Sequence, residues 1–328
     1  MFQIAGGCEG LPRAQGSQVS FVLGGELYVA RRTGSVARCV LEVEQPLDLD
    51  WGPRGDRVSF GDLRRFSSEG IVSLDDVAES ISWSRPTGRA MVYVSAGRLM
   101  KVDAFGDQPV DISFLADHDE VVYHPAGTHI AVAGRAEDGT YGIWLATNVG
   151  KDHQLLAIGE DARRIFSLSF AHDGATIYYA AEHDDHYDVH SLRLALQDEE
   201  GQVRDAELGT LDSAPSEMGD VVVSEFDAEK VAYSVGSCDE GKTTRVWEFE
   251  VTELGDELAG MSTEPVGWLP NGELLVLARQ SGCEGEGTLY AWDGGGATRL
   301  VPGVSAAGVR AILPPPPPPP ASEQQAAA

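Results

Sequence analysis

Two stretches of this chain place chemically capable residues at suggestive spacing. Gly236-Ser-Cys-Asp-Glu-Gly241-Lys242-Thr243 matches the GxxxxGK[ST] pattern, in which backbone N–H groups and a following helix N-terminus hold phosphate. Here the residues that follow, Thr244 to Val251, alternate as a strand, and Asp239 and Glu240 would repel phosphate. The segment therefore reads as a hairpin between two strands, and nucleotide is not expected on it. The second stretch gathers His172, His183, His186 and His190, four of the eight histidines. His183-Asp184-Asp185-His186 falls in a hairpin, and two imidazoles with two carboxylates are a donor set for a divalent cation. A solvated polar turn is the competing reading. Asp117-His-Asp-Glu120, read as an acid-rich turn, offers carboxylate oxygens to calcium but lacks the twelve-residue loop with its central glycine. Neither HExxH nor GxSxG occurs, and Gly303-Val-Ser-Ala-Ala-Gly308 has the wrong spacing for a serine elbow.

The elements that must position these residues form a repeat. Each copy reads as an aromatic, a short polar stretch, a turn glycine and then an apolar strand. Trp51-Gly-Pro-Arg-Gly55, Trp83-Ser-Arg-Pro-Thr-Gly88, Tyr123-His-Pro-Ala-Gly127, Phe170-Ala-His-Asp-Gly174 and Trp268-Leu-Pro-Asn-Gly272 are full copies. Phe226-Asp-Ala-Glu-Lys230 lacks the glycine, and Leu11-Pro-Arg-Ala-Gln-Gly16 is a weaker first copy. A further strand follows each, such as GELYVAR, YGIWLAT or RVWEFEV, with the two-residue alternation of a half-buried strand. In the last of these, Arg245, Trp247, Phe249 and Val251 are expected on one face.

One strand pair with one aromatic cannot bury its apolar face, whereas units stacked around an axis can. A period of about 40 residues with four strands per unit is that of a β-propeller blade. The pattern resembles the TolB-type, WD-like propeller repeat, whose usual signature reads aromatic-Ser-Pro-Asp-Gly. It is also similar to the propeller of prolyl-oligopeptidase-type proteins. The resemblance covers roughly residues 11–313 and implies an all-β propeller of four-stranded antiparallel blades. Seven copies imply seven blades, with six as the alternative. The closing strand is expected either from Phe2 to Ala5 or from Gly308 to Leu313. The propeller is expected to occupy residues 1–313, followed by a disordered tail at 314–328 that begins with seven prolines.

Lys and Arg number 24 against 52 acids, a net charge of −28. A phosphate-backbone binder needs a basic patch, so nucleic acid is not expected as a partner, nor is an anionic membrane. No segment is apolar enough to span a bilayer. The N-terminus lacks a secretory signal, so the sequence as written reads as cytoplasmic, or as periplasmic or extracellular if a leader has been removed. The four cysteines are widely separated and suggest neither a zinc motif nor a disulfide scaffold. The expectation is a non-enzymatic scaffold presenting acidic rim loops to a protein partner, with no cofactor required. Residues 197–219 read as a long inter-blade insertion, whose Asp198, Glu199 and Glu200 suit a basic partner. The alternatives are a metal-dependent enzyme of lactonase or dehydrogenase type with its site in the channel, and a regulatory propeller of a separate peptidase.

Overall fold

The computed structural model describes residues 1–5, 7–8, 19–31, 35–43, the strands within 49–72, and 77–309 apart from 105, 107, 160 and 198–202. Among these residues the chain is built from strands in consecutive groups of four. The first group is β1 (Gln3–Ala5), β2 (Val19–Leu23), β3 (Glu26–Ala30) and β4 (Val36–Glu42). The second is β5 (Leu49–Trp51), β6 (Arg57–Phe60), β7 (Arg65–Ser67) and β8 (Gly70–Val72). The third is β9 (Ser80–Trp83), β10 (Ala90–Ser95), β11 (Arg98–Asp103) and β12 (Val110–Asp111). The fourth is β13 (Asp117–Tyr123), β14 (His129–Arg135), β15 (Tyr141–Thr147) and β16 (Gln154–Ile158). The fifth is β17 (Arg164–Phe170), β18 (Thr176–Glu182), β19 (Tyr187–Gln197) and β20 (Val203–Ala214). The sixth is β21 (Met218–Val223), β22 (Val231–Val235), β23 (Thr243–Glu248) and β24 (Glu250–Glu253). The last is β25 (Ser262–Trp268), β26 (Leu274–Arg279), β27 (Gly287–Trp292) and β28 (Ala297–Val309).

Groups two to six are separate antiparallel sheets, while the first and last merge through β28. This 13-residue strand pairs with β27 as far as Val304, then crosses to pair with β2 from Val304 to Val309. The inner strands touch in a closed cycle, from β5 through β9, β13, β17, β21 and β25 to β28, which takes the inner place of the first group, and back to β5. The molecule is a β-propeller, closed by a strand from near the C-terminal end. Val304–Val309 supply the inner strand of the first group, and Gln3–Ala5 lie parallel to β4 on its outer edge. Mixing both ends in one sheet leaves no open edge at the closure. The expected tail at 314–328 lies outside the described residues.

The core lies between neighbouring sheets. Val92, Val94 and Leu99 of the third group pack with Tyr123, Ile130 and Val132 of the fourth. Ala131 and Ile143 of the fourth pack with Phe170, Ile177 and Leu192 of the fifth, and the same pattern continues around the ring. This layering explains a departure from strict alternation. The second strands β10, β22 and β26 are buried at every position, because each is covered by a neighbouring sheet on both faces. Trp83, Tyr123, Phe170 and Trp268 are buried at the ends of their inner strands, as the repeat predicts.

The turn that follows needs its glycine. Gly127 and Gly174 have φ of +74° and +71°. A Cβ there would stand 1.8 Å from the Arg85 carbonyl oxygen and 2.3 Å from His124 Nε2 respectively, both in the preceding sheet's turn.

Three expectations change. In the sixth group the backbone bond from Ser224 N–H to Lys230 matches that from Leu269 N–H to Glu273, so Val223, not Phe226, stands at the aromatic position. Phe226 lies in the turn and is exposed. The RVWEFEV run is not one strand, since Glu248 pairs with Glu250 and the chain reverses at Phe249. Residues 197–219 are no inter-blade insertion, because Val203–Ala214 form the outer strand of the fifth sheet. Each difference arises because backbone pairing, not side-chain type, sets where a strand ends.

Candidate functional site

The GxxxxGK[ST] match lies in the hairpin between β22 and β23, as the sequence suggests. Its lysine is already engaged, with Lys242 Nζ 2.8 Å from Asp220 Oδ2. Cys238 of the same hairpin is bonded to Cys283 in the equivalent hairpin of the last sheet, and a second disulfide joins Cys8 to Cys39. All four cysteines are thus paired, contrary to the reading from spacing, because hairpins 45 residues apart become neighbours in the ring.

The histidines come together differently from the sequence grouping. His183 and His186 flank the β18–β19 turn, while Asp188 and His190 follow on β19. Strand side chains alternate, so 186, 188 and 190 share one face. Asp188 Oδ2 lies 3.4 Å from His183 Nε2, 3.4 Å from His186 Nε2 and 3.6 Å from His190 Nε2. Asp188 and His190 are buried, and the His183 and His186 rings stack at 4.5 Å. Each outward ring nitrogen has a partner. His183 Nδ1 meets the Asp161 carbonyl oxygen at 3.2 Å, His186 Nδ1 meets Asp185 Oδ1 at 2.7 Å and His190 Nδ1 meets Thr210 Oγ1 at 3.2 Å. Asp185 holds the His186 imidazole above its usual value, whereas burial pushes His190 down against the pull of Asp188. Of the predicted ligands, Asp184 pairs instead with Arg163 at 2.5 Å, and Asp185 supports His186 from outside. His172 lies in the turn at the opposite end of β18 and takes no part.

Asp117-His-Asp-Glu120 is not a turn but the start of β13, and its side chains diverge. His118 is buried, with Nδ1 2.9 Å from the Gly97 carbonyl oxygen, while Asp119 accepts from the Tyr141 hydroxyl at 2.7 Å. Glu120 lies beside a bulge in the inner strand, and related bulges interrupt β17 and β21. Ser167 and Asp220 on those bulges adopt φ of +54° and +50°, and the Asp220 N–H donates to Ser167 Oγ at 3.1 Å. Burial pushes the Glu120 carboxyl up to about 7, against the pull of Arg164, the Ser167 backbone and the Ser80 hydroxyl. At alkaline pH this burial opposes folding, because the unfolded chain ionises the same carboxyl near 4.5. Its stability cost is absent below that value and grows as pH rises towards 7. Glu120→Gln is therefore expected to match the unsubstituted protein in thermal unfolding at pH 4 and to exceed it at pH 8, by about 3 kcal/mol. Equal unfolding temperatures at pH 8 would show a solvated carboxylate.

A third feature is the β23–β24 reversal. Phe249 turns the chain there with φ of +69° and is 78% exposed. Val251 is also exposed, Glu248 and Glu250 flank Phe249 in the chain, and Glu248 and Glu253 are paired with Lys230 and Arg245.

No family model matches the chain, and no curated protein matches it. Solved structures do. A putative TolB from Agrobacterium tumefaciens is 15% identical over 78% of this chain and 88% of its own, with a TM-score of 0.54. The fold is that of a TolB-like β-propeller. TolB from Acinetobacter baumannii is 14% identical over 90% of this chain and 66% of its own, with a TM-score of 0.52, so this propeller spans about two thirds of that protein. An oligogalacturonate lyase in complex with manganese is 13% identical over 86% of this chain and 83% of its own, with a TM-score of 0.54. The propeller fold is thus shared by proteins of different activity, and the likeness does not carry one to this chain.

Proposed function

We propose that this TolB-like propeller is a non-enzymatic, seven-bladed interaction scaffold that binds a protein partner with an apolar and basic surface. The observation that carries this reading is Phe249. A large aromatic at a strained turn, 78% exposed and flanked by carboxylates, contributes nothing to the core but suits the centre of an interface. Glu250 beside it and the net charge of −28 favour a basic partner and speed its approach. Asp198, Glu199 and Glu200, which follow β19 in the sequence, lie outside the described residues. Their acidity extends the same argument. Deleting 197–219 would not test it, since β20 would be lost with the loop.

The test is affinity capture from the native cell at low and high salt, with Phe249→Ser as the comparison. The captured partner is expected to lose at least tenfold in affinity to the variant, with unfolding unchanged. Equal capture by both proteins would refute the Phe249 surface. Paired cysteines accord with an oxidising compartment, periplasmic or extracellular, instead of the cytoplasm that the sequence as written suggests. Thiol alkylation of the native protein is then expected to leave all four cysteines unlabelled.

A second reading, an enzyme with its site in the channel, is favoured by Glu120. A carboxyl that titrates near neutrality on an inner strand is suited to proton transfer. A substrate turned over by the unsubstituted protein and not by Glu120→Gln would replace the scaffold reading.

A further inference from the structure

We propose that His183, His186, Asp188 and His190 bind one divalent transition-metal ion of the zinc class, independently of the scaffold reading. The spacing fits. Ligand atoms about 2.0–2.2 Å from a tetrahedral ion stand about 3.3–3.6 Å from one another. Asp188 Oδ2 lies 3.4, 3.4 and 3.6 Å from the three imidazole Nε2 atoms. The donor atoms of His183, Asp188 and His190 all fall within 4.8 Å of one another. His186 lies outside that set and meets it through Asp188 at 3.4 Å, so it would turn inward to become the fourth ligand.

The outer bonds point the same way. A carbonyl oxygen only accepts, so His183 Nδ1 carries the hydrogen that meets Asp161, and in the neutral ring Nε2 is left with its lone pair. That Nε2 is buried and has no hydrogen-bond partner. The Asp185 carboxylate fixes His186 in the same way. Lone pairs directed at a carboxylate repel it unless a cation stands between them. Histidines that ligate metals commonly give their other ring N–H to a carbonyl or carboxylate in this manner. Three imidazoles and one carboxylate suit zinc, copper, nickel or iron better than calcium or magnesium.

Four protein ligands leave no open position, so the ion has a fastening role. It would hold the β18–β19 turn to the loop at Asp161, which leads into β17. The other cluster of donors among the described residues, Cys8, Glu26 and Cys39, is already used, because its two sulfurs are bonded to each other.

The experiment takes the full chain, stripped with a chelator, and titrates it with zinc by calorimetry and with cobalt by visible absorption. One equivalent of zinc and the intense visible bands of tetrahedral cobalt are expected, without thiolate-to-metal absorption in the near ultraviolet. Asp188→Asn and His183→Gln are each expected to weaken binding by about 100-fold or more, and Asp185→Asn by about 10-fold. Asp184→Asn is expected to leave affinity unchanged. Circular dichroism of the metal-free variants checks that they fold. Should they not fold, the cobalt spectrum of the unsubstituted protein decides. No stoichiometric ion, a thiolate band, or undiminished binding by folded His183→Gln and Asp188→Asn would each overturn the proposal. Protonated imidazoles would then be the cations that satisfy Asp188.

Discussion

A chain ending at Gly303 is expected to lose cooperative unfolding, whereas one ending at Val309 keeps it. The two differ only in Val304–Val309, the part of β28 that pairs with β2. Removing it strips Val304, Ala307 and Val309 from the cluster that joins the last sheet to the first. It also breaks the bond from Ser20 Oγ to the Gly308 carbonyl, 3.0 Å long and spanning 288 residues of sequence. An opened ring exposes one apolar sheet face at each side of the gap, together with an unpaired edge on β2. Denaturant titration followed by tryptophan fluorescence and circular dichroism would test this. Coincident, steep transitions for the shorter chain would show that the closing strand is dispensable.

Trp268→Ala is expected to cost about 3–5 kcal/mol. Trp268 is 4% exposed, and its ring packs with Ala232 and Val246 of the sixth sheet and with Leu274 and Val276 of its own. Its Nε1–H donates to the Val222 carbonyl oxygen at 3.3 Å, so the truncation leaves both a cavity and a lost hydrogen bond. Phe249→Ala, by contrast, removes an aromatic that is 78% exposed and should change stability by less than about 0.5 kcal/mol. Equilibrium denaturation of the pair separates the aromatics that assemble the ring from the one left for a partner. Equal losses in both would mean that the Trp268 site collapses without a cavity.

The repeat was legible where its markers are large. Trp83, Tyr123, Phe170 and Trp268 announce the ends of four inner strands because a bulky ring is needed to fill the space between sheets. The sixth sheet hid its boundary because Val223 fills that place, and Phe226 nearby is a decoy with the right chemistry. His183 and His186 are identifiable as a pair, but adjacency points to Asp184 and Asp185, which face away from the cluster. The alternating set His186-x-Asp188-x-His190 was the better signal, since a strand brings every second residue together. The disulfides could not be read from spacing. Cys238 and Cys283 meet only because consecutive sheets place equivalent hairpins side by side. Glu120 stands out in the sequence by its charge alone, and its run of acids reads as a turn although it opens a strand. Its raised carboxyl depends on neighbouring sheets, with Ser80 on one side and Arg164 and Ser167 on the other.

Closure by a late strand also sets the timing of synthesis. While the chain is being made, each completed sheet can dock on its predecessor, but the last interface must wait for Val304–Val309 to emerge. Until then the nascent protein is an arc with apolar faces at both ends. Its final contact joins residues nearly the whole chain apart, the kind of pairing that forms slowly. The hazard is intermolecular, since the free edge of β2 can accept the closing strand of another copy as readily as its own. Dilution during refolding should therefore favour closed monomers over strand-exchanged chains.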